Sequence, residues 1–360
     1  MSRDVGRRGA DPALDSLFLP ILNGRVPWPA QGRVLFLRAR HGGVLHHRPL
    51  PGLICEQSFE PDAAALRRAG FAVSAATTEA DASCELVLLM PPRQREEARA
   101  LMARAVRAVA PGGRIIAAVA NNEGARSAEA DLMQLAGSLE VVTKHKCRVF
   151  WSEPWRAAAD PELAARWLQL DVPRMIDGGR FVSRPGLFAW DRIDPASALL
   201  AAHLPDDLRG RAADLGAGFG YLSAELLARC QGVSALDVYE AEARALDLAR
   251  RNLERYAPRV ELRWFWHDVT GGVPHRYDVI VTNPPFHAQR GTDRPDIGRR
   301  FIACAAAALG AHGQLWLVAN RHLPYESVLA EGFASVRTVA QERGFKVIAA
   351  SKAAASADIP

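Results

Sequence analysis

The residues best suited to chemistry are four consecutive ones, Asn283, Pro284, Pro285 and Phe286. They follow the run 277–282, which is rich in β-branched residues and typical of a buried strand in a parallel sheet. Because the two prolines have fixed φ angles and no N–H to donate, the chain must leave the sheet at Asn283 as a stiff loop. Open α/β sheets bind their ligands at this carboxyl edge. An amide and an aromatic ring there predict recognition of a flat base edge.

A glycine-rich loop forms a second candidate site. Asp214 and Leu215 end a strand-like run, and Gly216, Gly218 and Gly220 lead into a predicted helix. Glycines remove the Cβ atoms that would block a ligand lying against the backbone, and they permit positive φ angles. The loop holds an acid and no basic residue, whereas a dinucleotide needs helix N–H groups free for its pyrophosphate. The loop therefore favours a cationic cofactor without phosphates.

Acidic residues lie at the ends of the next two predicted strands. Glu240 follows the strand 233–239, where a carboxylate can accept hydrogen bonds from both ribose hydroxyls of an adenosine. The alternative ribose ligand is Asp237, since the register of the strand is open from sequence. Asp268 could accept the exocyclic amino proton of adenine, or it could be a surface acid. Together with the glycine loop and Asn283, these acids predict an S-adenosylmethionine site that needs no metal.

Composition limits the class of protein further. A hydrophobic content of 49% over 360 residues excludes a disordered chain, and no apolar run is long enough to cross a bilayer. The cysteines have no close pair, which argues against a disulfide framework or a zinc site. Their use favours a reducing compartment, and we expect a cytoplasmic protein. The formal net charge of +5 permits a polyanionic partner.

Alternating strands and helices must position these residues. The first half contains the following predicted elements: 32–37, 61–68, 86–90, 95–109 and 114–119. This rhythm predicts a doubly wound parallel sheet, and the second half repeats it. Residues 38–43 stand where a nucleotide-binding domain would have its loop, but their glycine spacing is wrong. We predict two domains, 1–165, including a linker, and 166–360.

The two motifs together resemble a known superfamily. Residues 214–220 with 283–286 look like class I methyltransferases, in the branch that acts on planar sp² nitrogens. Residues 319–325 and 344–347 closely resemble the C-terminus of the ribosomal RNA guanine-N2 methyltransferases of the RsmC/RlmG type, and 122–129 is similar to a stretch of their N-terminal domain. The resemblance implies an α/β fold of two tandem Rossmann-like methyltransferase domains with doubly wound, mostly parallel sheets. The N-terminal domain would be degenerate and the C-terminal one catalytic.

The resemblance also implies a reaction, methyl transfer from S-adenosyl-L-methionine to the N2 amino group of a guanine in ribosomal RNA, with 16S RNA favoured. The side-chain oxygen of Asn283 and the carbonyl of Pro284 would accept the amino protons, which localises the nitrogen lone pair. Phe286 would stack on the base, which must flip out of any RNA helix to reach the site. The enzyme would contribute mainly orientation and proximity. The partner would be ribosomal RNA or a ribosomal subunit, and the chain a monomer without membrane contact.

Two other functions stay open. A release-factor-type protein glutamine methyltransferase also uses Asn-Pro-Pro, although that family usually has Tyr in place of Phe286 and a helical N-terminal domain. A non-catalytic RNA-binding module fits the first half, but the intact loop of the second half argues against it.

The roles of several residues near the Asn-Pro-Pro motif also stay open. A histidine in the position of His287 is more often a packing or substrate-contact residue than a base. Four arginines could grip phosphates or belong to a solvated helix: Arg290, Arg294, Arg299 and Arg300. The segment 192–197 only loosely matches the Asp-x-Gly-Ser segment of relatives.

Overall fold

The computed structural model describes residues 11–76, 81–285 and 295–352, and the chain divides into two compact units, Met1–Val172 (unit 1) and Pro173–Pro360 (unit 2). In each unit the described residues form a seven-stranded sheet with a hydrophobic core on either face. The sequence places the boundary between residues 165 and 166. That point lies inside a helix, Pro161–Leu168, whose Trp167 is buried in a core of unit 1.

The sheet of unit 1 is mostly parallel. Its strands are β1 (Arg33–Leu37), β2 (Leu53–Glu56), β3 (Val73–Ser74), β4 (Cys84–Leu89), β5 (Val109–Ala120), β6 (Leu139–Lys144) and β7 (Cys147–Ser152). They lie in the order β3-β2-β1-β4-β5-β7-β6, and only β7 pairs antiparallel, with β5 and β6. Alternate side chains of β1 enter opposite cores, Val34 on one face and Leu35 on the other.

Helices cover both faces of this sheet. They are α1 (Pro12–Leu17), α2 (Leu19–Leu22), α3 (Glu60–Arg68), α4 (Arg95–Ala108), α5 (Ala125–Ala136) and α6 (Pro161–Leu168), with 3-10 turns at Gly43–His46 and Asn121–Glu123. Helix α4 begins where the side chain of Gln94 accepts the N–H of Glu97, and acids in its first turn suit the helix dipole. Its apolar face is rich in alanine, with Leu101, Met102 and Val106, and belongs to a core cluster of unit 1.

Unit 2 repeats this arrangement. Its strands are β8 (Arg174–Ile176), β9 (Phe181–Ser183), β10 (Arg209–Leu215), β11 (Gly232–Glu240), β12 (Glu261–Trp266), β13 (Tyr277–Thr282), β14 (Leu309–Asn320), β15 (Ser335–Glu342) and β16 (Phe345–Ser351). The large sheet has the order β12-β11-β10-β13-β14-β16-β15, and β16 pairs antiparallel with β14 and β15. Strands β8 and β9 form a separate antiparallel hairpin.

The helices of unit 2 follow the strands in sequence. They are α7 (Pro195–His203), α8 (Tyr221–Arg229), α9 (Ala243–Leu253), α10 (Pro295–Ala308) and α11 (Glu326–Gly332), with 3-10 turns at Asp177–Gly179, Glu254–Tyr256 and Val269–Gly271. Across residues 11–76, 81–285 and 295–352, no helix combines the length and apolar content that a membrane span requires.

The strand order of unit 2 reverses between β10 and β13, which creates a topological switch point. The ends of the neighbouring strands are level there, because Leu215 pairs with both Tyr239 and Thr282. Glu240 pairs with Trp266 at the end of the next strand. The loops that carry the predicted site residues therefore leave the sheet at one edge. Two tandem Rossmann-like domains with mostly parallel sheets, as the sequence predicted, are confirmed.

Candidate active site

The glycine loop connects β10 to α8 through three left-handed residues. The φ angles are 79° at Gly216, 57° at Gly218 and 90° at Gly220, in the region that favours glycine. A Cβ on Gly216 would lie 3.2 Å from the Phe301 ring, and one on Gly220 would lie 3.3 Å from Ala249. A Cβ on Gly218 would meet no described atom within 4 Å. The outer glycines thus allow close packing, whereas Gly218 borders open space that a ligand can occupy.

Glu240 connects the end of β11 to this loop. Its Oε2 accepts the N–H of Gly218 at 2.7 Å, and its Oε1 accepts the N–H of Glu242 at 2.8 Å. The backbone reinforces the link, because the carbonyl of Tyr239 accepts the N–H groups of Gly216 and Ala217. Burial raises the pKa of the Glu240 carboxyl. The side chain is half-buried, so a fixed carboxylate stands at the tip of the strand beside the open space at Gly218.

Asp237, the alternative to Glu240, lies in the middle of β11 and is fully buried. Its Oδ1 lies 2.8 Å from Nε of Arg263, and its Oδ2 lies 3.1 Å from Nη2 of Arg211. The hydroxyl of Tyr277 donates to Oδ2 at 2.7 Å, and the hydroxyl of Tyr239 lies 2.6 Å from that of Tyr277. This carboxylate is the centre of an ion-pair network inside the sheet, and its contacts favour Glu240 over Asp237 as the residue that faces a ligand.

Asp214 is fully buried near the end of β10. Its Oδ2 accepts the hydroxyl of Ser223 at 2.7 Å, while Oδ1 has no hydrogen-bond partner among the described residues. Burial raises the pKa of the Asp214 carboxyl to about 7, and the nearby charge of Glu240 acts in the same direction. A buried carboxyl oxygen without a partner is costly to leave unsatisfied, so Asp214 has unused capacity to accept a hydrogen bond at the loop.

The raised pKa of Asp214 predicts a stability that depends on pH. The folded state holds this proton up to about pH 7, whereas the carboxyl in the unfolded chain has the ordinary aspartate pKa of 3.8. Since the folded state binds more protons between these values, stability falls as pH rises from about 4 to about 7 and then levels off. Urea unfolding of the wild type and of Asp214→Asn at several pH values measures this contribution. The difference between the two free energies of unfolding should change with pH in that window, and a constant difference would contradict it.

Asp268 lies one strand further along the same edge, two residues beyond the end of β12. Its Oδ1 accepts both the N–H and the hydroxyl of Thr270, at 3.0 and 2.7 Å, and so caps the following 3-10 turn. The adjacent His267 donates its N–H to the carbonyl of Glu240 at 3.0 Å. Asp268 therefore has a local capping role, and it is half-buried next to the strand end that carries Glu240.

Asn283 follows β13 directly, and its amide is held in one place. Nδ2 donates to Oδ2 of Asp194 at 3.0 Å and to Oγ of Ser197 at 2.9 Å. The carbonyl oxygen Oδ1 accepts no hydrogen bond within the described part of the chain. Pro284 is buried and Pro285 is exposed, so the loop rises out of the sheet at this point. The geometry presents an amide oxygen at the switch point.

Asp194 and Ser197 were assigned no role by the sequence analysis. Asp194 is the N-cap of α7, where its Oδ2 accepts the N–H of Ser197 at 2.8 Å, and Pro195 occupies the first helical position. This is a recognisable helix-start signal. The contacts with Asn283 join residues that are 86 and 89 positions apart, so the local sequence around either end does not predict them.

The structure describes only two of the remaining predicted residues. Phe286, His287, Arg290 and Arg294 are outside the described residues. Arg299 and Arg300 are exposed on α10, and Nε of Arg299 donates to the carbonyl of Pro324 at 3.2 Å. The predicted stacking of Phe286 and the predicted phosphate contacts of the arginines stay predictions.

The corresponding edge of unit 1 is closed by its own side chains. Gln57 stands in the position of Glu240, and its Nε2 donates to the carbonyl of Ala39 at 2.6 Å. Arg38 occupies the place of Gly216 with a φ of 57°, and it lies 3.2 Å from Oε1 of Glu97. Strand β4 is followed by Met90-Pro91-Pro92, which retains the two prolines but has methionine in place of Asn283. The edge of unit 1 therefore lacks the glycine loop, the carboxylate and the amide.

The fold and the site together define a Rossmann-like methyltransferase. At one switch point, unit 2 places an Asn-Pro-Pro loop and a glycine loop that follows Asp214 and is hydrogen-bonded to Glu240. The family model described as Methyltransferase small domain matches residues 178–349, which contain both loops. The class that the sequence predicted is therefore confirmed.

Similarity to known proteins narrows the class. The ribosomal RNA small subunit methyltransferase C of Salmonella paratyphi A is 30% identical over 268 residues, 74% of this chain and 75% of its own length. The protein of that name from Psychromonas ingrahamii is 27% identical over 267 residues, 73% of this chain and 75% of its length. The chain belongs to the ribosomal RNA small subunit methyltransferase C family.

A solved structure extends the similarity to both units. The T. thermophilus 16S rRNA N2 G1207 methyltransferase (RsmC), in complex with AdoMet and guanosine, matches with a TM-score of 0.77 and 27% identity. The match covers 95% of this chain and 92% of that one. The predicted family and the predicted tandem architecture are both confirmed.

Proposed function

We propose that this chain transfers a methyl group from S-adenosylmethionine to the N2 amino group of a guanine in 16S ribosomal RNA. The observation that carries the proposal is the orientation of the Asn283 amide, whose nitrogen is bound by Asp194 and Ser197. Its oxygen is thereby left to accept a hydrogen bond, which is what an exocyclic amino group requires. The T. thermophilus relative, with its guanosine, supports guanine as the base and 16S RNA as the substrate.

The residues at the loop fit S-adenosylmethionine. The glycine loop from Asp214 to Gly220 contains no arginine or lysine, so it suits a ligand without phosphates. Glu240 offers a fixed carboxylate for ribose hydroxyls, and Asp214 has a buried oxygen without a partner among the described residues. Gly218 leaves the space that a ligand against the backbone needs. When bound, the cofactor supplies an already activated sulfonium methyl group.

The protein's own residues then have two tasks. Asn283 Oδ1 and the carbonyl of Pro284 accept hydrogen bonds from the amino group, which favours localisation on the nitrogen of a lone pair that is otherwise delocalised into the ring. The proton displaced by the methyl group is then lost to solvent. The stiff Pro-Pro loop holds these acceptors in place, so that the rate is raised mainly by proximity and orientation. Asp268, at the next strand tip, is our proposed acceptor for the adenine amino group.

Glu240→Ala should weaken cofactor binding by about 10- to 100-fold, since a hydrogen bond to a charged group is worth roughly 1.5–3 kcal/mol. Isothermal titration calorimetry with S-adenosylmethionine measures the dissociation constant. The control is Asp247→Ala, which removes an exposed acid from α9 and should leave the constant unchanged. An unchanged constant in Glu240→Ala would instead favour Asp237 as the ribose ligand.

Transfer of labelled methyl from S-adenosylmethionine tests the function directly. Acceptors are naked 16S RNA, naked 23S RNA, each ribosomal subunit and a protein mixture, and labelled RNA is digested to nucleosides. Label in N2-methylguanosine from 16S RNA or the small subunit is the expected result. Label in protein glutamine would contradict the proposal and indicate a protein glutamine methyltransferase. RNA binding that needs no cofactor and leads to no transfer would indicate a non-catalytic RNA-binding module. We further propose that the protein is a cytoplasmic monomer, and light scattering checks its oligomeric state.

A further inference from the structure

The amide of an asparagine can point either way about its last torsion, and the two orientations offer opposite chemistry. With Oδ1 forward, Asn283 accepts a hydrogen bond from its ligand; with Nδ2 forward, it donates one. The side chain lies where the substrate base is proposed to bind, so its orientation decides which functional group fits. The partners of the amide on the protein side are Asp194 and Ser197, at 3.0 and 2.9 Å from Nδ2.

We propose that Asp194, assisted by Ser197, is the positioning residue that fixes this orientation and so selects an amino group as the methyl acceptor. The inference rests on the proposed function and deepens it. A carboxylate oxygen only accepts hydrogen bonds, so a reversed amide would place Oδ1 against Oδ2 of Asp194. The hydroxyl of Ser197 can donate or accept and therefore tolerates either orientation. Asp194 is therefore the residue that discriminates between the two orientations of the Asn283 amide.

Asp194 is itself held rigidly. The same Oδ2 that accepts from Asn283 also accepts the N–H of Ser197 at 2.8 Å, so the cap of α7 fixes the carboxylate. Ser197 is 8% exposed, which keeps its hydroxyl away from competing water. Helix α7 packs against β14 and β16 of the central sheet. The orientation of the amide is therefore tied to the core of unit 2 and not to a loop alone.

Unit 1 provides an internal comparison that supports this pairing. Helix α1 occupies the place of α7, packing against β5 and β7, and it begins with Asp11-Pro12-Ala13-Leu14 where α7 begins with Asp-Pro-Ala-Ser. The serine is thus replaced by Leu14 in the unit where asparagine is replaced by Met90. Leu14 and Met90 are both buried in the same core cluster.

Unit 2, which has the glycine loop, has the polar pair Ser197 and Asn283. Unit 1, which lacks that loop, has the apolar pair Leu14 and Met90 in their places. Asp11 still caps its helix, accepting the N–H groups of Ala13 and Leu14, and also lies 3.3 Å from Arg40. Capping alone therefore needs only the aspartate. The serine occurs together with the asparagine, as expected if Ser197 serves to hold the Asn283 amide.

The test uses the full-length chain with S-adenosylmethionine and 16S RNA. Asp194→Ala should lower kcat by about 10- to 100-fold with little change in cofactor affinity, the loss expected for a charge-assisted hydrogen bond. Asp194→Asn retains an acceptor at the same place and should keep kcat within about tenfold of wild type. Asp11→Ala removes the same kind of cap in unit 1 and should leave kcat unchanged.

A double-mutant cycle shows whether Asp194 acts through Asn283. In an Asn283→Ala background, Asp194→Ala should cause no further loss of kcat. A further loss there, or an Asp194→Asn variant as impaired as Asp194→Ala, would overturn the inference, because the charge would then act on the substrate itself.

A spectroscopic measurement separates this inference from the proposed function. In the cofactor-bound chain labelled with ¹⁵N-asparagine, the side-chain amide signals of Asn283, assigned from Asn283→Ala, should shift in Asp194→Ala and stay in place in Asp11→Ala. If the wild type does not methylate 16S RNA, the proposed function fails, and this measurement alone decides the inference. Unshifted Asn283 signals in Asp194→Ala would overturn it.

Discussion

Asn283→Ala is expected to lower methyl transfer by about 100-fold or more, the loss typical of removing one preorganised hydrogen-bonding group from an active site. The substitution removes the amide oxygen that faces the substrate and leaves the Pro-Pro loop intact. Cofactor affinity should change little, because Glu240, Asp214 and the glycine loop are untouched. Single-turnover transfer to 16S RNA, together with calorimetry for S-adenosylmethionine, measures both quantities.

The matched control for this variant is Asn122→Ala, which removes an exposed asparagine of unit 1 and should have no effect. A large loss of cofactor affinity in Asn283→Ala would mean that the residue mainly supports the cofactor pocket. Full activity would place the reacting base somewhere other than the loop after β13. Either result would end the assignment of Asn283 as the hydrogen-bond acceptor for the amino group.

Asp237→Ala is expected to destabilise unit 2 by about 3–5 kcal/mol, the cost of breaking a buried ion pair and leaving charges without a partner. Arg211 and Arg263 converge on this carboxylate from the strands on either side, and Tyr277 donates to it as well. Removing it would leave two partly buried guanidinium groups facing each other across β11. Urea unfolding followed by circular dichroism measures the change.

The control for this variant is Glu261→Ala. Glu261 also lies beside Arg263, at 3.9 Å, but its side chain is exposed, and surface ion pairs contribute about 0–1 kcal/mol. The two variants thus remove acids from the same arginine at different depths. A similar small loss in both would show that the network around Asp237 contributes little, and it would reopen Asp237 as a ligand-binding residue.

The sequence was sufficient for features that depend on local chemistry. Two prolines must end a strand wherever they occur, so the loop at Asn283 could be placed before the structure was known. The glycines of the loop were likewise predictable, because positive φ angles at 216, 218 and 220 favour that residue type. The reversal of β7 and β16 was not predicted, since alternation of apolar residues does not indicate strand direction.

Features that depend on distant partners were beyond the sequence. Glu240 and Asp237 are both acids on one strand, and what separates them is Arg211 on β10 and Arg263 on β12. Those contacts arise from the register between strands, which a single strand does not encode. The link between Asp194 and Asn283 was missed for the same reason, because it joins a helix cap to a strand end far along the chain.

The closed edge of unit 1 also bears on how the two halves can change. The carbonyl of Ala39 now accepts a hydrogen bond from Nε2 of Gln57 at 2.6 Å. Gln57→Glu would replace that donor by a carboxylate oxygen, and the two oxygens would repel each other in the absence of a ligand. Arg38→Gly would remove a partner of Glu97, and Met90→Asn would bury an amide in an apolar core cluster. Each step back toward a working pocket is unfavourable on its own. A cofactor pocket in unit 1 would therefore require several of these substitutions together.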